Sequence, residues 1–186
     1  MLSLVAELAQ HIDVLLISLR AGEFADDARA MGIPVVVVHH GNPLHDIDEM
    51  RRIICDGGYD LVHCHGAKAN VMSVILKRKC KVPVVTTVHS DWRLDYMGDV
   101  KKKYTFGLLN TIALRFLNGY IGVTRNFADM LINRGFDPYH VHVIYNGLDF
   151  SQVPAPRMTR EDYLASVGLS CDAQTVVCGI DRKSVV

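Results

Sequence analysis

Short runs of apolar residues alternate with stretches of helical pattern along most of the chain. The clearest runs are VVVV at residues 35–38, LVHCH at 61–65 and VVTTV at 84–88. Continuous apolar runs of this length predict strands that are buried on both faces of a sheet. Strands separated by helices predict βαβ units, whose right-handed crossovers place helices on both sides of the sheet. The sequence therefore predicts an α/β fold with a doubly wound parallel sheet.

The same pattern predicts the remaining elements. Further strands are expected at residues 12–19, 120–123 and 141–145, and helices at residues 23–31, 46–55, 67–80, 100–117, 126–134 and 161–167. The first ten residues have the periodicity of the middle of another helix, with no capping residue or turn before them. We therefore expect that the natural protein begins before Met1.

The composition excludes several classes of protein. Hydrophobic residues make up 49% of the 186 residues, which is enough for a core and excludes a disordered chain. Lys and Arg together number 20, as do Asp and Glu, so the basic excess of a dedicated nucleic-acid binder is lacking. No apolar run of the sequence is long enough for a membrane span. The five cysteines are unevenly spaced, which favours reduced thiols in the cytoplasm over a disulfide framework.

Polar residues follow several of the predicted strands. In open α/β sheets, ligands bind beyond the carboxyl ends of the strands, so these residues are the candidates for a ligand site. They are His39, His40, His63, His65, His89, Ser90, Asp91, Thr124, Arg125, Asn146 and Gly147. Five of the nine histidines of the chain are among them, which makes imidazole the side chain to examine at this edge.

His63 and His65 lie two residues apart on one predicted strand, so they share a face and Cys64 takes the other. Two imidazoles on one face could chelate a metal, but no neighbour in the sequence supplies a third ligand, and no metal site is predicted. His63 is instead interpreted as a hydrogen-bonded core residue. His65 stands before Gly66 and a helix start, where free backbone N–H groups attract anions. For His65, a binding role and a structural role both stay open.

His89 is the stronger candidate, because its strand delivers it to the sheet edge and a long loop follows instead of a helix. An imidazole there can donate to a phosphate or a substrate hydroxyl near neutral pH. The alternative is a histidine that only caps the loop. Asp91 could act as a base, but an Asp at this place more often forms an Asx turn. The sequence contains no G-x-S-x-G, P-loop or G-x-G-x-x-G motif.

Basic residues cluster at positions 77–81 and 101–103, and the second cluster leads into the apolar segment TFGLLNTIALRFL. Cationic residues beside an apolar helix can favour contact with an anionic membrane surface. The preferred interpretation is a solvated helix end followed by a helix that packs on the core, and the peripheral membrane contact stays as the alternative.

Four segments occur in an order and spacing that resemble a known family. They are YDLVHCHGAKAN, VPVVTTVHSDW, YIGVTRNFADML and VIYNGLD. The chain resembles glycosyltransferase family 4, the retaining enzymes of the GT-B fold, over residues 3–149. That stretch corresponds to the Rossmann-like N-terminal domain of the family, on the acceptor side. The resemblance implies a parent enzyme that transfers a sugar from a nucleotide-sugar donor to a lipid or saccharide acceptor.

The resemblance also implies roles for single residues. His89 corresponds to the catalytic histidine near the transferred sugar, and Asn146 and Gly147 correspond to the turn on the donor side between the domains. The residues that correspond to the acceptor cleft are His65, Gly66, Ser90, Thr124 and Arg125. The family uses neither a metal nor a cofactor beyond the donor, and it binds no nucleic acid. A role in cell-envelope polysaccharide biosynthesis follows from the resemblance, in the cytoplasm or peripherally at the inner face of the membrane.

The chain departs from the family at both ends. The first strand of the family and its Gly-Gly loop are missing, and in the family's strand order this strand lies between residues 12–19 and 61–65. We expect residues 1–150 to be an incomplete N-terminal domain, 151–174 a linker with a short helix, and 175–186 a stub of the C-terminal domain. Residues 181–186 resemble a translated sequencing adapter. We therefore expect this chain alone to be poorly stable and inactive.

Two other functions stay open from the sequence. One is a non-catalytic α/β domain that binds a ligand or regulates a partner through the edge histidines. The other is a sugar-nucleotide epimerase of the same fold, which HCHG and VHSDW match less well. The acidic motif and the basic pair of a second domain would distinguish the transferase from the non-catalytic domain.

Overall fold

Six strands and seven helices follow one another along the part of the chain that a computed structural model describes, residues 1–93, 107–147 and 158–170. The strands are β1 (Leu16–Ser18), β2 (Val35–Val37), β3 (Val62–His65), β4 (Val84–Val88), β5 (Gly119–Gly122) and β6 (Val141–Val143). The helices are α1 (Leu2–Leu8), α2 (Glu23–Ala30), α3 (Pro43–Asp56), α4 (Ala67–Cys80), α5 (Leu108–Leu114), α6 (Arg125–Asn133) and α7 (Arg160–Ser166). A short 3₁₀ helix, Pro138–His140, precedes β6. The predicted α/β class is confirmed.

All the strand pairs are parallel, and they form two sheets. One sheet contains β1 and β2, and the other has the order β3-β4-β5-β6. Among the described residues, β1 and β3 are not hydrogen-bonded to each other. The interruption lies where the family resemblance expects a further strand. The two sheets therefore have the strand order of a doubly wound sheet that is open at this one position.

The chain divides into two compact units, Met1–Tyr145 and Asn146–Val186. The first unit carries both sheets and six of the seven described helices. In the second unit, α7 begins at Thr159, whose hydroxyl accepts a hydrogen bond from the backbone N–H of Asp162. Of the predicted linker with a short helix at 151–174, residues 151–157 and 171–174 lie outside the described residues, as does the whole of the predicted stub at 175–186. The domain assignment of these segments stays a prediction.

The hydrophobic core of the first unit consists of two clusters, one for each end of the strand series. The first contains Val38, Ile47, Met50, Ile54, Met72 and Leu76. Residues from both sheets pack against this cluster, Ile17 from β1 and Val62 from β3. Helices α3 and α4 therefore join the two sheets, although no backbone hydrogen bond does. The second cluster lies under β4 and β5 and contains Cys64, Val84, Val88, Trp92, Leu114, Leu117, Tyr120, Leu131 and Phe136.

A chain of buried polar side chains fixes α4 and α5 to the large sheet. The hydroxyl of Thr86 on β4 donates to Asn70 Oδ1 on α4 at 2.7 Å, and Asn70 Nδ2 donates to Asn110 Oδ1 on α5 at 2.9 Å. Cys64 on β3 contacts the hydroxyl of Ser73 on α4 at 2.7 Å. Every buried side-chain N or O atom of the described residues has a partner. Because each polar group has a partner, the hydrogen bonds offset the free-energy cost of desolvation, and the network specifies one position for α4.

Several predicted element bounds were wrong, and the structure gives the reasons. The strand predicted at 12–19 is only Leu16–Ser18, because its ladder with Val35–Val37 offers three positions. Helix α3 begins at Pro43 instead of residue 46, because Asn42 caps it by accepting a hydrogen bond from the N–H of Leu44. Of the helix predicted at 100–117, the described part is Leu108–Leu114, and residues 100–106 lie outside the described residues.

Replacing Gly122 with Ala should destabilise the first unit by about 1–3 kcal/mol, which is the usual cost of overpacking. A Cβ atom at Gly122 would lie 2.8 Å from the backbone N of Ala128 and 3.2 Å from the carbonyl O of Thr124. Both atoms are backbone atoms at the start of α6, so the helix would have to shift. Urea unfolding followed by circular dichroism measures the change.

The matched control is Gly147→Ala, because a Cβ atom there has no neighbour within 4 Å. We expect this control to unfold like the parent chain. Equal unfolding free energies for the two variants would contradict the close approach of α6 to β5.

Candidate functional site

Three histidines stand in a row at the carboxyl ends of β3 and β4. Strand β3 carries His63 and His65, and His89 directly follows β4. In the register of the two strands, His65 lies opposite Thr87 and His63 opposite Val85. Alternate residues of a strand share a face, so Thr87 and His89 lie on the same face as the two histidines of β3. We call His63, His65 and His89 the histidine row.

The members of the histidine row contact one another and Thr87. His63 Nε2 lies 2.7 Å from Thr87 Oγ1, and His65 Nδ1 lies 3.2 Å from His89 Nε2. The ring centroids of His63 and His65 are 4.6 Å apart, and those of His65 and His89 are 5.4 Å apart. His63 and His65 are half-buried, whereas His89 is exposed. His89 is therefore the member that can meet a ligand directly, and His65 supports it from behind.

The surroundings keep the histidine row neutral. Burial lowers the pKa of His65 to about 3, and positive charge on His63, on His89 and at the amino terminus adds to this effect. Burial also lowers the pKa of His63 and of His89, with smaller contributions from His89 and from the amino terminus, respectively. In the 3.2 Å contact, one imidazole donates and the other accepts, which is impossible when both are protonated. Near neutral pH, His89 is therefore a neutral imidazole whose orientation His65 fixes.

Two helices begin beside the histidine row. Gly66 is the N-cap of α4, and its φ of 87° is a conformation that favours glycine. Thr124 is the N-cap of α6, where its hydroxyl accepts a hydrogen bond from the N–H of Phe127. The carboxyl ends of β4 and β5 are neighbours in the sheet, with Val88 opposite Gly122. Both helix N-termini therefore open at the same edge of the sheet as His65 and His89.

The first turns of these two helices carry cations and no acidic residue. Lys68 lies in the first turn of α4 and Arg125 in that of α6, and both are exposed. In contrast, the first turns of α2, α3 and α7 contain acidic residues. Acidic side chains are the favourable choice at a helix N-terminus, because the helix dipole is positive there. The reversed choice at α4 and α6 makes this edge attractive to an anionic ligand.

Asp91 does not have the surroundings of a general base. Its carboxylate receives two hydrogen bonds from the guanidinium of Arg134, at 2.8 and 2.6 Å, and one from the N–H of Arg93 at 3.0 Å. The hydrogen bonds from Arg134 lower the pKa of Asp91. The predicted Asx turn is therefore present, and Asp91 anchors the loop that follows His89 and Ser90.

The sequence analysis missed Arg134 as a supporting residue. Its guanidinium lies 4.7 Å from the ring centroid of Trp92, so it holds both Asp91 and the buried Trp92. Arg134 follows Asp91 by 43 residues, and no local pattern links the two positions. The ion pair fixes the start of the loop close behind His89.

Other predicted candidates have different surroundings. The backbone N–H of His40 donates to the buried Asp46 at 2.7 Å, and its imidazole contacts Glu49, so His40 braces the start of α3. Neither of these two contacts joins His40 to the histidine row, and His39 is exposed. Asn146 and Gly147 belong to the second compact unit. Ser90 is half-buried directly after His89.

Within residues 1–93, 107–147 and 158–170, no group of three or more His, Cys, Asp or Glu side chains is arranged to hold a metal ion. Cys64 lies on the opposite face of β3 from the two histidines, where it contacts Ser73. Burial raises the pKa of its thiol to about 11, so the side chain stays a neutral thiol. The segment HCH therefore does not act as one ligand set.

Several solved structures have a fold similar to that of this chain. The Anabaena protein Alr3699/HepE in complex with UDP-glucose matches with a TM-score of 0.69 and 19% identity, over 90% of this chain and 44% of that one. The lipopolysaccharide outer core galactosyltransferase WaaB matches with a TM-score of 0.56 and 12% identity, over 84% of this chain and 43% of that one. These GT-B neighbours confirm the predicted Rossmann-like fold.

A third neighbour is a Listeria monocytogenes protein described as a UDP-N-acetylglucosamine 2-epimerase, with a TM-score of 0.59 and 14% identity, over 76% of this chain and 40% of that one. The chain thus spans less than half the length of each of these three structures. No curated protein sequence matches the chain. The sequence model of Glycosyltransferase Family 4 matches residues 1–152. Because that match covers most of the chain, the protein belongs to glycosyltransferase family 4.

Proposed function

We propose that the parent protein of this chain transfers a sugar from a nucleotide-sugar donor to a lipid or saccharide acceptor, with retention of the anomeric configuration. The observation that carries the proposal is the neutral pair of His65 and His89 between two helix N-termini that bear cations. A diphosphate leaving group is anionic, and a neutral imidazole can both donate a hydrogen bond to a sugar hydroxyl and accept one from it. The edge offers both kinds of contact.

Each residue of the edge has a proposed role. His89 contacts the transferred sugar near the reacting atoms, and His65 positions His89. Gly66, Ser90, Thr124 and Arg125 bind the acceptor. Asn146 and Gly147 form the turn toward a second, donor-binding domain, and we propose that residues 1–150 are the incomplete acceptor-side domain.

The donor is proposed to be a nucleotide sugar, since HepE is described in complex with UDP-glucose and with UDP. Electrostatic stabilisation of the leaving diphosphate supplies the catalysis, without a metal or another cofactor. We place the reaction in cell-envelope polysaccharide biosynthesis at the cytoplasmic side of the membrane.

Replacing His89 with Ala in the product of the complete gene should lower kcat/KM for sugar transfer by about 100-fold, the usual contribution of a positioned donor. His65→Ala should lower it less, because His65 acts through His89. Transfer of radiolabelled sugar from UDP-glucose and other nucleotide sugars measures both effects, and NMR of the product gives its anomeric configuration.

His142→Ala is the matched control, because this exposed histidine lies on β6. It should keep the parent rate. Sugar transfer by the purified 186-residue chain alone would contradict the proposal that a second domain is required. An inactive product of the complete gene with every donor would contradict the transferase function itself.

Replacing His65 with Asn should flatten the dependence of stability on pH. The pKa of His65 is about 3 in the folded chain, below the ordinary value of 6.5. Between these values the unfolded chain binds a proton that the folded chain does not. The stability that the neutral His65 contributes is therefore complete above about pH 6.5 and is lost as the pH decreases. Between about pH 7 and pH 4.5, the parent chain should lose about 2–3 kcal/mol more than His65→Asn.

Urea unfolding at a series of pH values measures this difference. His142→Asn serves as the control, because its side chain is exposed, and it should follow the parent chain at every pH. Parallel stability curves for the parent chain and His65→Asn would contradict a neutral, buried His65.

The epimerase neighbour provides a second candidate function. An epimerase would convert the donor into an isomeric nucleotide sugar without an added acceptor. Chromatography of the nucleotide sugars after incubation distinguishes the two reactions, because only the transferase releases free nucleotide in step with a glycosylated acceptor. A non-catalytic domain would give neither product.

An exposed apolar face beside basic residues supports a peripheral contact with the membrane. Leu108, Leu109, Ile112 and Phe116 are exposed at helical spacing, while Ala113 and Leu114 face the core. Arg78 lies over the ring of Phe116, and Lys77 Nζ donates to the carbonyl of Phe116 at 2.7 Å. No helix of the described residues is long and apolar enough to cross a membrane. We propose that this face, the α5 face, rests on an anionic lipid surface.

Ile112→Asp should weaken binding to vesicles of phosphatidylcholine and phosphatidylglycerol by at least about fivefold, because it places a negative charge in the α5 face. Vesicle sedimentation measures the binding. Tyr139→Asp, at a residue that is 89% exposed outside this face, is the matched control. Binding that is equal on purely neutral vesicles, or that is unchanged by Ile112→Asp, would contradict the proposal.

A further inference from the structure

Two cysteines that the proposed function does not use lie in direct contact. Cys55 is in the last turn of α3, and Cys80 is the last residue of α4. Their sulfur atoms are 2.6 Å apart, and both are free thiols. The two sulfur atoms are therefore within reach of an S–S bond, which measures about 2.05 Å.

The packing of the two helices sets this contact. Ile47 and Ile54 of α3 share one core cluster with Met72 and Leu76 of α4. The two cysteines are 25 positions apart in the sequence, and all of β3 lies between them. The contact is therefore a result of the fold and not of closeness in the sequence. The folded chain therefore presents the two thiols to each other as a preformed pair.

We propose that Cys55 and Cys80 are a redox modification site, at which a small-molecule disulfide such as glutathione disulfide converts the two thiols into a reversible intramolecular disulfide. The site differs from the histidine row in residues and in chemistry. Nothing in the transfer reaction uses either thiol.

The exchange proceeds in two steps. The thiolate of Cys55, which is exposed, attacks one sulfur of glutathione disulfide, forms a mixed disulfide and releases one glutathione thiolate. The thiolate of Cys80 then attacks the Cys55 sulfur and releases the second glutathione. Two protein thiols lose two electrons and two protons, and one glutathione disulfide becomes two glutathione thiols, so the reaction balances.

The surroundings assign the order of the two cysteines. Burial, and to a smaller extent the neighbouring Cys55 thiol, raises the pKa of Cys80 to about 11. Cys80 is also half-buried, with its sulfur 3.7 Å from the carbonyl O of Arg51. Cys80 is therefore a poor first nucleophile, but it is held next to Cys55 when the mixed disulfide forms.

The bond would tie together the two helices that join the sheets. Closing a loop of this length restricts the unfolded chain, so the oxidised protein should have the higher melting temperature, by about 5 °C or more. Reduction with dithiothreitol should restore the lower value.

The test exposes the full chain to mixtures of glutathione disulfide and glutathione, followed by alkylation, trypsin digestion and mass spectrometry. Cys64→Ser is the matched control, because it keeps a hydroxyl next to Ser73 and removes the third described thiol. We expect a peptide pair joined through Cys55 and Cys80 in the parent chain and in Cys64→Ser. In Cys80→Ser, Cys55 should instead retain one glutathione.

Two outcomes would overturn the inference. One is a parent chain that accumulates glutathione on Cys55 without forming the internal bond. The other is a cross-link that joins either cysteine to a third one or to a second chain. Because the parent chain and Cys64→Ser decide both outcomes, the test does not depend on whether the Cys55 or Cys80 variants fold, and it is independent of sugar transfer.

Discussion

The pairing of β3 with β4 is the interaction on which both the core and the candidate site depend. Its register places His65 opposite Thr87 and thereby brings His65 within 3.2 Å of His89. The same register turns Cys64 and Thr86 to the other face, where they join the buried polar network with α4. A shift of one residue would exchange the two faces and destroy both arrangements together.

The edge combines neutral imidazoles with a positive field. The helix N-termini and the exposed cations Lys68 and Arg125 attract negative charge. Burial is the main cause of the lowered pKa of all three histidines, and positive charge on the neighbouring histidines and at the amino terminus adds to it for His65. An anionic ligand would reduce the positive field and make protonation of the exposed His89 easier.

The sequence predicts the elements with local signals and misses those that depend on distant partners. Helix α4 and strand β4 were predicted with their observed ends, because Gly66 and Pro83 mark the limits of the helix. Strand β1 was predicted too long, since the length of a ladder depends on its partner strand. The pairs Asp91–Arg134 and Cys55–Cys80 are separated by 43 and 25 residues, and only the fold brings them together. Of the five candidate histidines, His63, His65 and His89 lie together at the ends of β3 and β4, whereas His40 contacts residues of α3.

Because β1 and β3 are not hydrogen-bonded to each other, helices α3 and α4 connect the two sheets. In a continuous sheet, backbone hydrogen bonds would connect the two halves, but here the side chains of Ile47, Met50, Met72 and Leu76 make the connection. Apolar contacts lack direction, so they hold the sheets together without fixing their register as firmly as a ladder does. The polar network of α4 lies on the β3 side alone. The contacts described for the histidine row, which join His63 to Thr87 and His65 to His89, both lie on the larger sheet and do not use this apolar connection.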